Sequence, residues 1–148
     1  MSCSRVVVLS FFLAFNSFSQ IVLSEIMFNP QGNERHDEFI ELCNVSETDA
    51  VDLIGWLLSD GTKFNTLIPF SATSVLLPKQ YAIILVPLYF QASASYDAVI
   101  PQGALILTIA ESQFGANGLK NSGEIVSIYT PDTTLVGAYQ YTPDNKDG

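Results

Sequence analysis

The sequence predicts an all-β fold, an antiparallel β-sandwich, and three observations lead to this prediction. Short apolar runs rich in β-branched and aromatic residues recur along the 148 residues, separated by turn-forming pairs. Charged residues make up only 14% of the chain and hydrophobic residues 48%, which excludes a disordered protein. No stretch of useful length spaces its apolar residues at the helical period. A chain of this length is expected to form one domain that needs neither a metal nor a disulfide.

The first nineteen residues are expected to be a signal peptide, cleaved after Ser19 and followed by the domain at 20–148. Arg5 gives this segment a positive start, an almost unbroken apolar run covers residues 6–15, and Ser17 and Ser19 are small residues at the cut. The run is shorter than the about 20 residues that span a membrane, so no transmembrane segment is predicted. The mature protein is therefore expected to be secreted or held at the cell surface; a buried N-terminal strand is the alternative.

In the first half of the domain, turn residues separate four predicted strands. An Asn-Pro pair ends the first strand, Gly55 separates the third from the fourth, and Asp60-Gly61 is typical of a tight turn. Polar residues at 32–36 and 44–49 predict loops on either side of the second strand. The four strands are expected at 20–28, 38–43, 51–53 and 56–59.

The second half continues the same pattern. A Pro-Asp pair at 131–132 predicts a turn, residues 115–123 are rich in Gly, Asn and Ser and predict a loop, and residues 89–95 fit a single helical turn. Residues 73–77 lead into a strand at 81–86, residues 99–100 and 104–110 are further candidates, and strands at 125–129 and 135–141 close the series. Eight or nine short strands at this spacing are typical of a sandwich or a barrel.

Five motifs, taken in their order and spacing, indicate a family. They are SEIMFNP at 24–30, DEFIELCN at 37–44, VDLIGWLLSDG at 51–61, LPKQY at 77–81 and GLKNSGE at 118–124. Together they resemble the bacterial lamin-tail domain. The resemblance implies an immunoglobulin-like β-sandwich and, in exported proteins, an adhesion or accessory module that is often attached to a larger chain. It also implies an aromatic residue where this chain has Cys43.

The resemblance further implies one more short strand segment beyond residue 148. Without that segment, the predicted strand at 135–141 would lie at a sheet edge with unpaired backbone groups, which are a template for pairing with another chain. The chain is therefore expected to be part of a longer protein and, by itself, to self-associate through this strand.

The charge pattern narrows the classes of partner. All fifteen acidic residues and five of the six basic residues lie beyond position 20, so removal of residues 1–19 leaves a formal net charge of −10 instead of −9. The phosphates of nucleic acid repel such a surface, and no nucleic-acid partner is expected. The predicted function is a binding or adhesion module for a protein or a glycan on the cell surface. The alternative is an accessory domain of a larger exported hydrolase or nuclease whose catalytic part lies outside this chain.

Side chains able to do chemistry are few, and no enzymatic activity is predicted. Beyond position 19 the chain has one histidine, His36, which is expected to be a solvated loop residue, and it lacks the motifs of serine hydrolases, P-loop enzymes and zinc proteases. Glu25, Glu38 and Glu41 could supply an acid–base pair for glycoside hydrolysis. In a regular strand Glu25 shares a face with Leu23, so these glutamates are expected to be structural acceptors of hydrogen bonds within apolar strands.

Other residues are expected to hold the fold together. Trp56 follows Gly55 among leucines and is expected to anchor the core, with an exposed sugar-stacking platform as the alternative. Asn121 and Gly123 tolerate a positive φ and are expected to aim the strand that follows them. Cys43 is expected to be a small buried side chain, with a reactive thiol as the alternative.

No cofactor is expected, with calcium as the open alternative. Asp144 and Asp147 lie in a short acidic segment that resembles part of a calcium loop, since carboxylate oxygens are the ligands that this cation prefers. The segment is too short for such a loop and lacks a distal glutamate, and it fits a polar turn equally well.

Overall fold

The computed structural model describes residues 20–143 of the chain. The predicted signal peptide and the calcium option at Asp144 and Asp147 lie outside the described residues. Ten strands and two one-turn helices are present within 20–143. The strands are β1 Ile21–Met27, β2 Phe39–Asn44, β3 Val51–Asp52, β4 Leu57–Ser59, β5 Phe64–Pro69, β6 Val75–Leu76, β7 Tyr81–Leu85, β8 Leu105–Ile109, β9 Ile125–Tyr129 and β10 Leu135–Gln140. The helices are α1 Glu34–Asp37 and α2 Tyr89–Ala92.

Eight strands form a sandwich that approaches a closed barrel, in the order β1-β2-β7-β8-β5-β4-β9-β10. Strand β5 belongs to both layers: residues 64–66 pair with β4, and residues 67–69 pair with β8. The two end strands, β1 and β10, lie beside each other. Strands β3 and β6 form a separate two-stranded ribbon. The predicted immunoglobulin-like β-sandwich is confirmed.

One pair within the sheet is parallel, whereas the sequence predicted antiparallel pairing throughout. Strand β8 runs in the same direction as β7, with Ile84 opposite Leu107. Parallel neighbours need a long crossover connection. Residues 86–104 supply this connection, and α2 lies within it.

The core lies between the two layers and explains the alternating pattern of the strands. In β2, Ile40 and Leu42 are buried, while Phe39, Glu41 and Cys43 on the other face are partly exposed. Strand β7 is buried from its second residue onward because the crossover covers its outer face. Burial of one such Leu or Ile side chain stabilises the fold by about 1.5–3 kcal/mol relative to its exposure.

Three local sequence predictions were wrong. Strand β5 was missed because Asn65, Thr66 and Pro69 interrupt its apolar pattern. The predicted strand at 99–100 is a turn, in which the backbone N–H groups of both residues donate to the carbonyl of Tyr96. The predicted loop at 32–36 contains the start of α1, whose N-cap Asn33 accepts a hydrogen bond from the backbone N–H of Arg35.

Between residues 20 and 143, none of the helices has the length and apolar character needed to cross a membrane.

Candidate functional site

A bulge at Ser24 decides which way Glu25 points. The pairing of β1 with β2 shifts register between Leu23 and Glu25, so that Leu23 lies opposite buried Leu42 and Glu25 lies opposite Glu41. Residues that are directly paired share a face of the sheet, and neighbours along a strand alternate faces. The prediction that Glu25 shares a face with Leu23 was therefore wrong, because one extra residue reverses the alternation.

The facing carboxylates of Glu25 and Glu41 have no cation beside them within the described part of the chain. Glu41 Oε1 accepts a hydrogen bond of 2.7 Å from Ser24 Oγ, which agrees with the predicted acceptor role. Glu25 is exposed and, among residues 20–143, accepts no hydrogen bond and forms no salt bridge. The described residues therefore give Glu25 no role as a structural acceptor. Like charges directly opposite each other on neighbouring strands destabilise a sheet.

These two carboxylates stand at one side of an open groove of about 340 Å³. The floor is apolar and consists of outward side chains of the sheet, namely Met27, Phe39 and Ile83. Ile83 lies opposite Glu41 in the pairing of β2 with β7, so the charged and apolar parts are neighbours on one face. The far wall comes from the crossover after α2 and includes Tyr96, Val99 and Ile100.

Hydrogen bonds fix the far wall to the sheet. The hydroxyl of Tyr96 donates to the backbone carbonyl of Asp37 at 2.7 Å, and its ring meets the ring of Phe39 edge to face at 5.0 Å. The backbone N–H of Tyr96 donates to the hydroxyl of Tyr89, which donates to Asp97 Oδ1 at 2.7 Å. Burial, followed by the charges of Asp37 and Glu25, raises the pKa of Tyr96 above its usual value. Because residues of the wall are distant in sequence from the sheet, no local pattern could have indicated them.

Asp37 connects this wall to α1. Its carboxylate accepts hydrogen bonds from the backbone N–H of Asn33 and from the hydroxyl of Ser93, and it lies 3.0 Å from His36 Nδ1. Burial alone would raise the pKa of Asp37, but these hydrogen bonds and the nearby imidazole hold it below its usual value. His36 is only 16% exposed, so its prediction as a solvated loop residue was wrong; the pairing with Asp37 draws the ring inward.

Glu38 has the structural role predicted for it. The carboxyl is 3% exposed, and its two oxygens accept hydrogen bonds from the backbone N–H of Leu119 at 3.0 and 3.1 Å. The pKa of Glu38 is raised to about 8: burial raises it most, the hydrogen bond from Leu119 lowers it, and the charges of Glu34 and Glu124 raise it. A neutral Glu38 therefore fastens the loop at 115–123 to the start of β2.

The turn before β9 has its positive φ at Gly123, whereas the φ of Asn121 is not positive. Gly123 has a φ of +88°, and the side chain of Asn121 donates to Glu34 Oε1 at 2.6 Å. A Cβ at Gly123 would lie 2.7 Å from the backbone oxygen of Tyr141, closer than atoms can pack. The hydroxyl of Tyr141 donates to the carbonyl of Lys120 at 3.0 Å, so the turn and the end of β10 are held together.

The turn residues around β4 are structural too. Gly55 and Gly61 have φ values of +72° and +84°, as tight turns require. Asp60 Oδ1 accepts hydrogen bonds from the backbone N–H groups of Thr62 and Lys63, at 2.9 and 3.1 Å. Burial raises the pKa of Asp60, but these hydrogen bonds and that from the Thr62 hydroxyl outweigh it, and the pKa is lowered.

Trp56 and Cys43 are less buried than the sequence predicted. Trp56 packs against the core but stays partly exposed, and its backbone oxygen accepts a hydrogen bond from Leu67 at 2.8 Å. Cys43 is a partly exposed thiol on the outer face of β2, because the core positions of that strand are Ile40 and Leu42. Across residues 20–143, no three His, Cys, Asp or Glu side chains cluster so as to hold a metal.

The Lamin Tail Domain family model matches residues 15–143, which include the whole sandwich and both sides of the groove. The chain belongs to the lamin-tail domain family. It is therefore an immunoglobulin-like module. The match begins inside the segment predicted as a signal peptide, so the cleavage position stays a prediction. A search of curated proteins finds no match.

Proposed function

We propose that this lamin-tail domain is an exported, non-catalytic binding module that attaches to a protein or a glycan at the cell surface, and that the groove is its contact surface. One observation carries the proposal. Glu25 and Glu41 face each other beside an apolar recess, and no Lys or Arg of the described residues lies within salt-bridge distance of either carboxylate.

The energetics of this arrangement favour a contact surface. A like-charged pair and a partly exposed apolar floor both cost stability in the isolated domain, and each is relieved when a complementary surface covers the groove. Features that break local rules of stability are expected at functional sites. Export is supported by the pattern of the first nineteen residues, and a net charge of −10 after their removal argues against nucleic acid.

Export is tested with the full chain carrying a C-terminal tag, produced in a secreting host. We expect the medium to contain a form whose intact mass corresponds to cleavage after Ser19. A product that keeps Met1 and stays inside the cells would contradict the proposal of export.

Binding is tested with the secreted form, fluorescently labelled and added to cells of the source organism. We expect saturable binding that the double variant E25Q/E41Q weakens and the control E47Q/D49N does not, because the control removes the same charge from exposed residues of the loop at 45–50. The same samples are assayed against glycan, ester and phosphodiester substrates. Turnover that E25Q or E41Q abolishes would overturn the non-catalytic proposal.

A further inference from the structure

We propose that the groove binds an arginine side chain of a partner protein, presented within an apolar segment; this inference rests on the proposed binding function. The occupant follows from two features that lie side by side. A cation complements the pair of carboxylates, and a long hydrocarbon stem complements the apolar floor. Among side chains, arginine and lysine combine these two properties.

The carboxylate pair favours arginine over lysine. Glu25 and Glu41 are directly opposite on neighbouring antiparallel strands, which places their Cα atoms about 4.5–5.5 Å apart. A guanidinium group presents five N–H donors in a planar fork and can bond two carboxylates at once, whereas an ammonium is a compact point charge. Glu41 gives one oxygen to Ser24, and Glu25 is free of hydrogen bonds within 20–143, so acceptor positions remain for the fork.

The remaining lining suits the rest of such a segment. The stem of the arginine would lie along Met27 and Phe39, which are partly exposed, whereas Ile83 beside them is already buried at 6% exposure. The ring of Tyr96 stands at the far wall, where it can contact a guanidinium face or an apolar neighbour. Val99 is 71% exposed at the rim, where it offers a contact point for an apolar residue of the partner.

Size and polarity favour a protein segment over a glycan. A volume of about 340 Å³ is at the small end of ligand pockets and accommodates one long side chain with a neighbour. A sugar would bring many hydroxyl groups, whereas the groove offers mainly apolar surface and two carboxylates. The net charge of −10 without residues 1–19 also attracts a basic segment during association.

The probe is a blocked tripeptide, acetyl-Leu-Arg-Leu-amide, titrated into the ¹⁵N-labelled secreted form and followed by NMR. We expect a dissociation constant of about 1 mM, with shift changes confined to the groove and largest at Tyr96, Val99 and Ile83. The matched peptide with citrulline in place of arginine keeps the shape but lacks the charge, and we expect it to bind about tenfold more weakly. The peptide with lysine in place of arginine is expected to bind with an affinity between those of the arginine and citrulline peptides. Equal binding of the arginine and citrulline peptides would overturn the inference.

Variants then test the assignment of the carboxylates. We expect E25Q/E41Q to lower the affinity for the arginine peptide about tenfold. The control E47Q/D49N removes the same charge elsewhere and should change this affinity less than about twofold. The variant E25Q/E41Q should fold, because it removes the repulsion between two like charges. Its melting curve verifies this. Reversal of both charges adds a gain of function: E25R/E41R is expected to prefer the peptide with glutamate in place of arginine. Equal weakening by both double variants would indicate general charge attraction and would overturn the site.

The two proposals fail separately. If the secreted form binds cells through the groove but no tripeptide binds, the arginine inference is wrong and the binding function stands. If the secreted form neither binds cells nor binds any peptide, both are wrong. Binding of the arginine peptide that E25Q/E41Q abolishes supports the inference directly.

Discussion

Glu38 shows how one buried carboxyl links the fold to pH. Its pKa is raised from 4.5 to about 8 by burial and by the charges of Glu34 and Glu124. In the unfolded chain the group ionises near its ordinary value, so between these two pH values the folded state holds a proton that the unfolded state has lost. The stabilisation is fully present below about pH 4.5 and is lost as the pH rises through about 8.

The pH dependence of unfolding tests this role. We expect the free energy of unfolding to fall between pH 5 and pH 8, by up to about 4 kcal/mol. In Glu38→Gln the amide oxygen still accepts a hydrogen bond from Leu119, but the group no longer titrates. The free energy of unfolding should therefore change less with pH. Urea denaturation across this pH range measures the free energy of unfolding, with Glu47→Gln at an exposed site as the control. If Glu38→Gln leaves the slope unchanged, the carboxyl is ionised in the folded protein.

Glycine is required at position 123 both by its positive φ and by the lack of space for a Cβ. Gly103 allows these two requirements to be separated. Both Gly123 and Gly103 have a positive φ, of +88° and +91°, but a Cβ at Gly103 would meet no atom within 4 Å. We expect Gly103→Ala to cost about 1–2 kcal/mol from backbone strain alone. Gly123→Ala should cost more, because its Cβ would also displace the backbone at Tyr141. Thermal melting of both variants measures the difference, and equal costs would show that the contact with Tyr141 is unimportant.

At the scale of elements, α1 and the crossover after α2 are one structural unit. Asp37 at the end of α1 accepts the hydroxyl of Ser93, and its backbone carbonyl accepts the hydroxyl of Tyr96. These bonds hold the far wall of the groove over β2 and β7 without strand pairing. The groove therefore depends on a few side-chain contacts between segments that are far apart in sequence.

Removal of the Asp37 carboxylate should loosen the wall selectively. We expect Asp37→Ala to lower the free energy of unfolding by about 1–3 kcal/mol, since Asn33 N–H and the Ser93 hydroxyl lose their acceptor. Hydrogen exchange should accelerate most at residues 93–101. The control is Asp52→Ala, which removes an exposed carboxylate that accepts from Ser74 and Ile54 on the β3–β6 ribbon. Equal acceleration in the two variants would contradict a local role for Asp37.

At the scale of the whole molecule, the ends of the sheet meet at β1 and β10. The ring of Phe28, just after β1, stacks on Tyr141 with 4.3 Å between ring centroids. No ladder pairs β10 with β1, so β9 is the one strand paired with β10 in the described sheet. Strand β10 therefore has unpaired backbone groups on one edge, although β1 lies beside it, and these groups are where the predicted self-association would occur.

Sedimentation at rising concentration tests self-association of the chain without residues 1–19. We expect a shift towards dimers that added salt strengthens, because salt screens the repulsion between two chains of net charge −10. A lysine at exposed Ala138 on β10 should prevent it, since charges on edge strands oppose pairing. The control is Ala110→Lys, at an exposed position just after β8. A chain that stays monomeric in all conditions would show that β1 protects this edge.

The sequence by itself determined the family, the β-sandwich and the conformation of several turns. Alternation of apolar residues predicted β2, β9 and β10, and the positive φ at Gly61 and Gly123 follows from residue type, because such signals act over a few neighbouring residues. The polar strand β5 was not predicted, because its apolar residues do not alternate regularly. Its Asn65 is buried through hydrogen bonds with Gln113 and Gly115, partners that no local pattern reveals.

Tertiary structure alone decided the groove. Glu25 faces Glu41 because a bulge at Ser24 shifts the register, and one residue of shift moves a side chain to the opposite face of a sheet. Tyr96 and Val99 reach the same site because a crossover of nineteen residues folds back over β2 and β7. Register and the return path of a crossover are fixed by packing between distant segments, so a site built from them cannot be predicted from the neighbours of its residues in the chain.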